Sequence, residues 1–343
     1  MKNLEQAPNM KWQEWLAVGL CCFLITIPTF FEIYRTLVFG TIPYDSYQTI
    51  IQYYNGEVPY SEMWSPTFYR FAYNYLSFFF SKTLPLLRFS KSDATDANLA
   101  IFQGLAITSY LFHCLFGLLA YYFLKVSKGF STLVAATVSI IALQMLNFSA
   151  FFGSDPLSIC YILLLLLWMP RKWVFAIGLL FSIVVNEKVG PIFFVYGLAH
   201  LFWGIPTQRR PYIWILGCSV ITMLGYLAMK KAIPLPGFEF QTDLSQYPSR
   251  FVESIRFLFT PKGLFMNGLP LAFFVGLSWI GHRYARESKG DFSFLVLLSV
   301  PIVLLIWGMC ISMQYTIGRL VLHALPMYLV AMAAILERYA SPK

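Results

Sequence analysis

Long apolar runs, rather than alternating or amphipathic patterns, dominate this chain. Ten of them read as spans, at residues 15–39, 98–124, 130–151, 155–169, 172–186, 189–205, 211–230, 264–281, 292–313 and 317–336. Roughly 20 apolar residues cross a hydrocarbon layer about 30 Å thick as a helix, which satisfies its own backbone polar groups. The fourth, fifth and sixth runs are shorter than that. The expected fold class is all-α: a polytopic transmembrane helical bundle of about ten spans, forming one integral membrane domain over residues 1–343.

Composition agrees with the pattern. With 58% hydrophobic and 12% charged residues and a mean hydropathy of +0.63, the apolar surplus exceeds what a soluble core of this size can bury, so it faces lipid. Lys2, Glu5, Lys11 and Glu14 surround the start of the first run. This lacks the compact design of a cleavable signal and reads as a retained anchor.

The short links between runs carry the topology. Lys125 and Lys128, Arg171 and Lys172, Arg209 and Arg210, and Arg283, Arg286 and Lys289 fall in alternate links, with Arg338 and Lys343 at the end. Positive residues in short links stay on the cytoplasmic side, which puts both termini there. Residues 40–97 and 231–263 then become two long external loops, accompanied by tight external turns near Gly153–Pro156 and Asn186–Pro191. Segment 65–87 is aromatic-rich, flanked by prolines, and contains Arg70, Asn74 and Lys82. That composition suits interfacial helices in the first external loop better than a crossing, which would invert everything downstream.

Several function classes lose ground at once. The net charge of +9 comes without a basic domain or patch, so no nucleic-acid partner is expected. The six cysteines all lie in apolar runs and the four histidines are scattered, so the residues indicate no metal site and no disulfide framework. No phosphate-binding glycine loop appears, no cofactor is called for, and any activated donor would be lipid-borne. Membrane lipids are the expected surroundings.

Asp45, Asp155, Glu187, Lys188, Lys230, Lys231 and Arg319 all fall at or just beyond the same expected membrane face. Charges at span ends are costly unless they share a wet cavity or sit separately among headgroups. Local alternatives exist for each. Asp45 and Asp155 stand where helices start, a position that favours acids, and Pro156 follows Asp155 as a first helical residue. Glu187 and Lys188 could mark a polar break, and Arg319 could snorkel.

Thr-Ile-Pro-Tyr-Asp-Ser-Tyr-Gln-Thr follows the first span, and Phe-Gly-Ser-Asp-Pro-Leu-Ser and Val-Asn-Glu-Lys-Val-Gly-Pro form later external turns. Together these resemble the GT-C superfamily of polytopic membrane glycosyltransferases, in its small bacterial type, over roughly residues 15–205. The resemblance implies a polyprenyl-phosphate-linked sugar donor, a lipid, glycan or protein acceptor, a bacterial cytoplasmic membrane and Asp45 as catalytic base. The chain departs from that pattern in three ways. It has no paired acids in the first loop and no large C-terminal soluble domain, and it carries Asn186-Glu187-Lys188 where Lys-Glu is usual.

Sugar transfer from a phosphate leaving group needs a base for the acceptor hydroxyl and cations for the departing phosphate. In that scheme Asp45 is the base, Lys188 and Arg319 hold phosphate, and Asp155 or Glu187 orients the acceptor or sugar. Tyr44, Tyr47 and Trp64 are candidates for stacking on sugar rings, and loop 231–263 could cap the cavity. Two other classes fit the same charges: a transporter or flippase, and a non-catalytic subunit that binds partner membrane subunits.

Overall fold

The computed structural model describes residues 12–38, 45–63, 66–86, 95–149, 153–204, 209–236, 247–288, 294–310 and 317–340. Among these, 88% are helical and none is in a strand, so the all-α class holds. Five helices are long and apolar enough to cross a membrane: Trp12–Arg35, Asp96–Ser127, Pro211–Ala232, Pro261–Arg283 and Gly318–Tyr339. The shortest, at 22 residues, reaches about 33 Å at 1.5 Å per residue. The other expected spans fall on apolar helices of 10–17 residues, about 15–26 Å long.

In chain order the helices are α1 (Trp12–Val38), α2 (Asp45–Tyr54), α3 (Phe71–Thr83), α4 (Asp96–Tyr122), α5 (Thr132–Ser149), α6 (Asp155–Trp168), α7 (Lys172–Phe181) and α8 (Val189–Trp203). They continue with α9 (Arg209–Ala232), α10 (Tyr247–Leu258), the single turn α11 (Pro261–Gly263), α12 (Leu269–Ser288), α13 (Phe294–Cys310), α14 (Ile317–Val321) and α15 (Leu325–Ala340).

Exposure separates these helices by role. The windows of α1, α9 and α11–α12 are mostly uncovered, whereas those of α4 and α14–α15 are mostly buried. Trp12, Leu16, Leu20, Phe23 and Leu24 on α1 are all exposed. Such a continuous apolar face is stable against lipid and not against water. Leu143, Leu163, Phe193, Leu304, Tyr328 and Leu329 build the core where α5, α6, α8, α13 and α15 meet. Tyr328 links three helices there: its hydroxyl donates to the Leu297 carbonyl at 2.7 Å and lies 2.7 Å from Ser278 Oγ.

α1 and α4 run antiparallel along most of their length. Glu14 meets Tyr121 and Lys125 at one end, Thr26 Oγ1 lies 3.1 Å from Cys114 Sγ in the middle, and Ile33 and Tyr34 pack with Ile101 and Leu105 at the other end.

α3, in the aromatic segment read as interfacial, docks lengthwise on α4: Tyr73 hydroxyl pairs with Ser109 Oγ at 3.0 Å, and Ser77 donates to Thr108 Oγ1 at 3.1 Å. Its buried polar residues, Asn74 and Ser77, find partners for their donors on α4 and in the preceding turn, while Asn74 Oδ1 is buried with no hydrogen-bond partner among the described residues. Ser77 pairs with Thr108, and Asn74 donates to the Thr67 carbonyl at 2.8 Å.

Candidate functional site

The site grows from two sharp turns at one end of the bundle. Gly153 adopts φ +80°, a left-handed conformation that glycine reaches without steric cost, and the chain then turns through Ser154 into α6. Asp155 and Pro156 occupy the first turn of that helix. The second turn joins α7 to α8. Asn186 Oδ1 accepts the backbone N–H of Lys188 at 3.1 Å, a side-chain turn that fixes where the following helix starts.

These turns send Glu187 and Lys188 to different partners. Lys188 Nζ donates to Asp155 Oδ1 at 2.7 Å. Arg319, from the first turn of α14, places its Nε 2.7 Å from Asp155 Oδ2. His323 Nε2 lies 3.5 Å from Asp155 Oδ1 and 2.8 Å from Ser158 Oγ. The Asp155 side chain is only 2% exposed, so its charge depends on these partners rather than on water. It is committed to cations and not to capping α6, where no side-chain cap bond forms.

Glu187 instead receives Arg70 in a fork: Nε donates to Oε2 at 3.1 Å and Nη2 to Oε1 at 2.5 Å. Paired donors of this kind match carboxylate geometry and add strength as well as direction. Arg70 Nη1 also donates to Tyr47 hydroxyl and to Ser154 Oγ, each at 3.0 Å. Ser154 Oγ accepts from Tyr47 at 3.2 Å and from Asn186 Nδ2 at 3.3 Å. Burial pushes the Glu187 carboxyl up, but the charge and hydrogen bonds of Arg70 prevail and hold it down at about 2. Burial likewise lowers Arg70, and the Glu187 charge more than restores it, leaving the guanidinium well above its usual range.

The two centres are joined through the backbone. Ser154 serves one and Asp155 the other; Glu187 serves one and Lys188 the other. Arg319 is the most open member, with its side chain 32% exposed. Lys230, near the end of α9, lies 4.8 Å from the Tyr226 ring and 5.8 Å from the Tyr69 ring.

Of the residues singled out in the sequence, Asp155, Lys188 and Arg319 therefore come together, with Glu187 in the adjoining centre. Asp45 opens α2, while its side chain, Tyr44 and Trp64 lie outside the described residues. Tyr47 is not free to stack on a sugar: its ring packs edge-on against Tyr73 at 5.3 Å and its hydroxyl belongs to the Arg70 network.

Sequence reasoning missed Arg70 and His323. Arg70 read as a marker of an interfacial helix. The usable signal was a basic residue in an aromatic segment with no acid near it, which calls for a distant partner once buried. His323 carried no comparable signal. Among the described residues, no group of three or more His, Cys, Asp or Glu could hold a metal ion. No family model matches the chain, and neither a curated protein nor a solved structure matches it.

Proposed function

We propose that this chain is a membrane glycosyltransferase that moves a sugar from a polyprenyl-phosphate donor to a lipid, glycan or protein acceptor on the external face of a bacterial cytoplasmic membrane. The observation that carries the reading is the convergence of Asp155, Lys188 and Arg319 beside the Arg70–Glu187 pair, at one end of an apolar bundle. The start of α2 lies close to this centre, because Tyr47, two residues after Asp45, donates to Ser154.

In the proposed reaction Asp45 takes the proton of the acceptor hydroxyl as its oxygen attacks the anomeric carbon. The bond from that carbon to the phosphate oxygen breaks, and the phosphate leaves as an anion. Arg319, the cation most open to an incoming group, stabilises that anion, while Asp155 and Lys188 hold Arg319 and its surroundings in place. The five shorter apolar helices complete about ten spans, with the short basic links and both termini cytoplasmic.

A transporter reading draws on a different feature of the same centre. Asp155 and Lys188 are both nearly inaccessible, and buried ionisable pairs among apolar helices are also used as proton or ion relays. The two readings separate on one measurement: transfer from radiolabelled polyprenyl-phosphate sugars in membranes holding wild type or Asp45→Asn at matched folded abundance. Transfer lost only in the variant supports the glycosyltransferase. Equal transfer removes Asp45 as the base, and no transfer with any donor favours the transporter or a non-catalytic subunit.

A further inference from the structure

The helix that begins at Pro261 is interrupted by a π-helical turn, Leu264–Gly268. Its start is fixed: Thr260 Oγ1 accepts the Gly263 N–H at 3.0 Å as an N-cap. A π turn carries an extra residue per turn, and each residue advances a helix by about 100°. The residues after Gly263 are thus swung onto a face that a regular helix would not present.

Asn267, in this turn, is fully buried. Its Oδ1 accepts the backbone N–H of Gly318 at 2.9 Å. Gly318 stands in the first turn of α14, where amides have no acceptor within their own helix, so Asn267 supplies that acceptor from another helix. The backbones also touch. A Cβ on Gly318 would run into the Met266 carbonyl oxygen and come within 3.1 Å of the Pro270 ring. The next residue along is Arg319, whose Nε reaches Asp155.

We infer that the π turn at Leu264–Gly268, acting through Asn267, is the positioning element for Arg319. Asn267 and the Gly318 contact hold the α14 backbone from behind, and Asp155 receives the guanidinium in front. Asn267 touches neither Asp155 nor the proposed phosphate; it is a positioning residue. The inference deepens the glycosyltransferase reading and rests on it only for the activity measurement below.

The test is a double-variant cycle on the full purified chain in detergent, read as the thermal unfolding midpoint. Asp155→Asn is made in wild type, in Asn267→Ala, in Arg319→Gln and in the combined Asn267→Ala/Arg319→Gln background. Positioning through Arg319 predicts that at least half of the midpoint shift caused by Asp155→Asn disappears in the Asn267→Ala background. It also predicts that Asn267→Ala and Asp155→Asn become additive once Arg319 is Gln. Additive shifts with Arg319 present overturn the inference and leave Asn267 as a packing residue. Should Asn267→Ala fail to fold, Asn267→Ser replaces it in the same cycle with the same two outcomes.

The activity measurement uses polyprenyl-phosphate sugar as probe. Asn267→Ala is expected to lower kcat about tenfold with KM for the donor kept within about twofold, as for a contact realised while the phosphate departs. A rise in KM with kcat unchanged contradicts positioning of the cation that stabilises the leaving phosphate. Absence of transfer by wild type with every donor defeats the glycosyltransferase reading, and the unfolding cycle still decides the role of Asn267.

Discussion

The two ends of the bundle each pair a carboxylate with a lysine, and they do different things with it. At the end formed by the start of α1, the last turn of α4 and the π-helical turn Phe123–Ser127 that continues it, Glu14 binds Lys125 and accepts the Tyr121 hydroxyl at 2.5 Å. This clasp joins two neighbouring helices, and its side chains are 25% and 16% exposed. At the other end Asp155 joins α6, the turn before α8, and α14 in nearly complete isolation from solvent. Its partners shield it where water does not. A partly exposed pair can be lost with little change, whereas a buried pair that loses one member leaves the other uncompensated.

The widest break in this contrast is Asp155→Ala. Lys188 would stay buried without its counter-charge, and unfolding in detergent should show a loss of about 3–5 kcal/mol. A loss no greater than that of Glu14→Gln would erase the distinction between the ends.

Next comes acid. Glu187 has an ordinary value of 4.5 and is held at about 2 in the folded chain, so its contribution is complete above pH 4.5 and disappears as pH falls through 2. That contribution is about 3 kcal/mol. Glu187→Gln should flatten the stability profile between pH 2 and 4.5, and an unchanged profile would mean that Arg70 does not hold this carboxylate.

Gly153→Ala sharpens the comparison from the backbone side. A side chain forced to keep φ +80° should cost about 1–2 kcal/mol, and the same change lowers the ordering of Ser154 and Asp155 together. Glu14→Gln is the smallest effect, about 0–1 kcal/mol and weaker in high salt. Titrating salt during unfolding checks it: a salt-independent loss would place Glu14 in the same class as Asp155.

How much of this was legible in the sequence follows from what local pattern can encode. Apolar runs marked the helices because lipid-facing and buried positions are both hydrophobic, and run length speaks directly to crossing. Asp155, Glu187, Lys188 and Arg319 stood out because a charge flanked by apolar runs needs compensation. The identity of that compensation was not readable. Arg70 and Glu187 are 117 residues apart, and nothing in the periodicity around either one names the other. The docking of α3 on α4 was hidden for a related reason. An aromatic-rich segment with scattered polar residues looks the same whether Asn74 and Ser77 face headgroups or hydrogen-bond within the molecule. His323 was silent because its neighbours Ser158 and Asp155 belong to α6, and Ser158 lies 165 residues earlier in the chain.

The spacing of these partners along the chain also sets an order of events during synthesis. Lys188 follows Asp155 by 33 residues, about 2–7 s at ordinary elongation rates of about 5–20 residues per second. His323 follows Ser158 by 165 residues, about 8–33 s at the same rates. Asp155 therefore has its lysine early and must wait for the segment bearing Arg319 and His323. Until that segment emerges, the Asp155 carboxylate has a single cationic partner, Lys188, while the Arg70–Glu187 pair beside it is already complete.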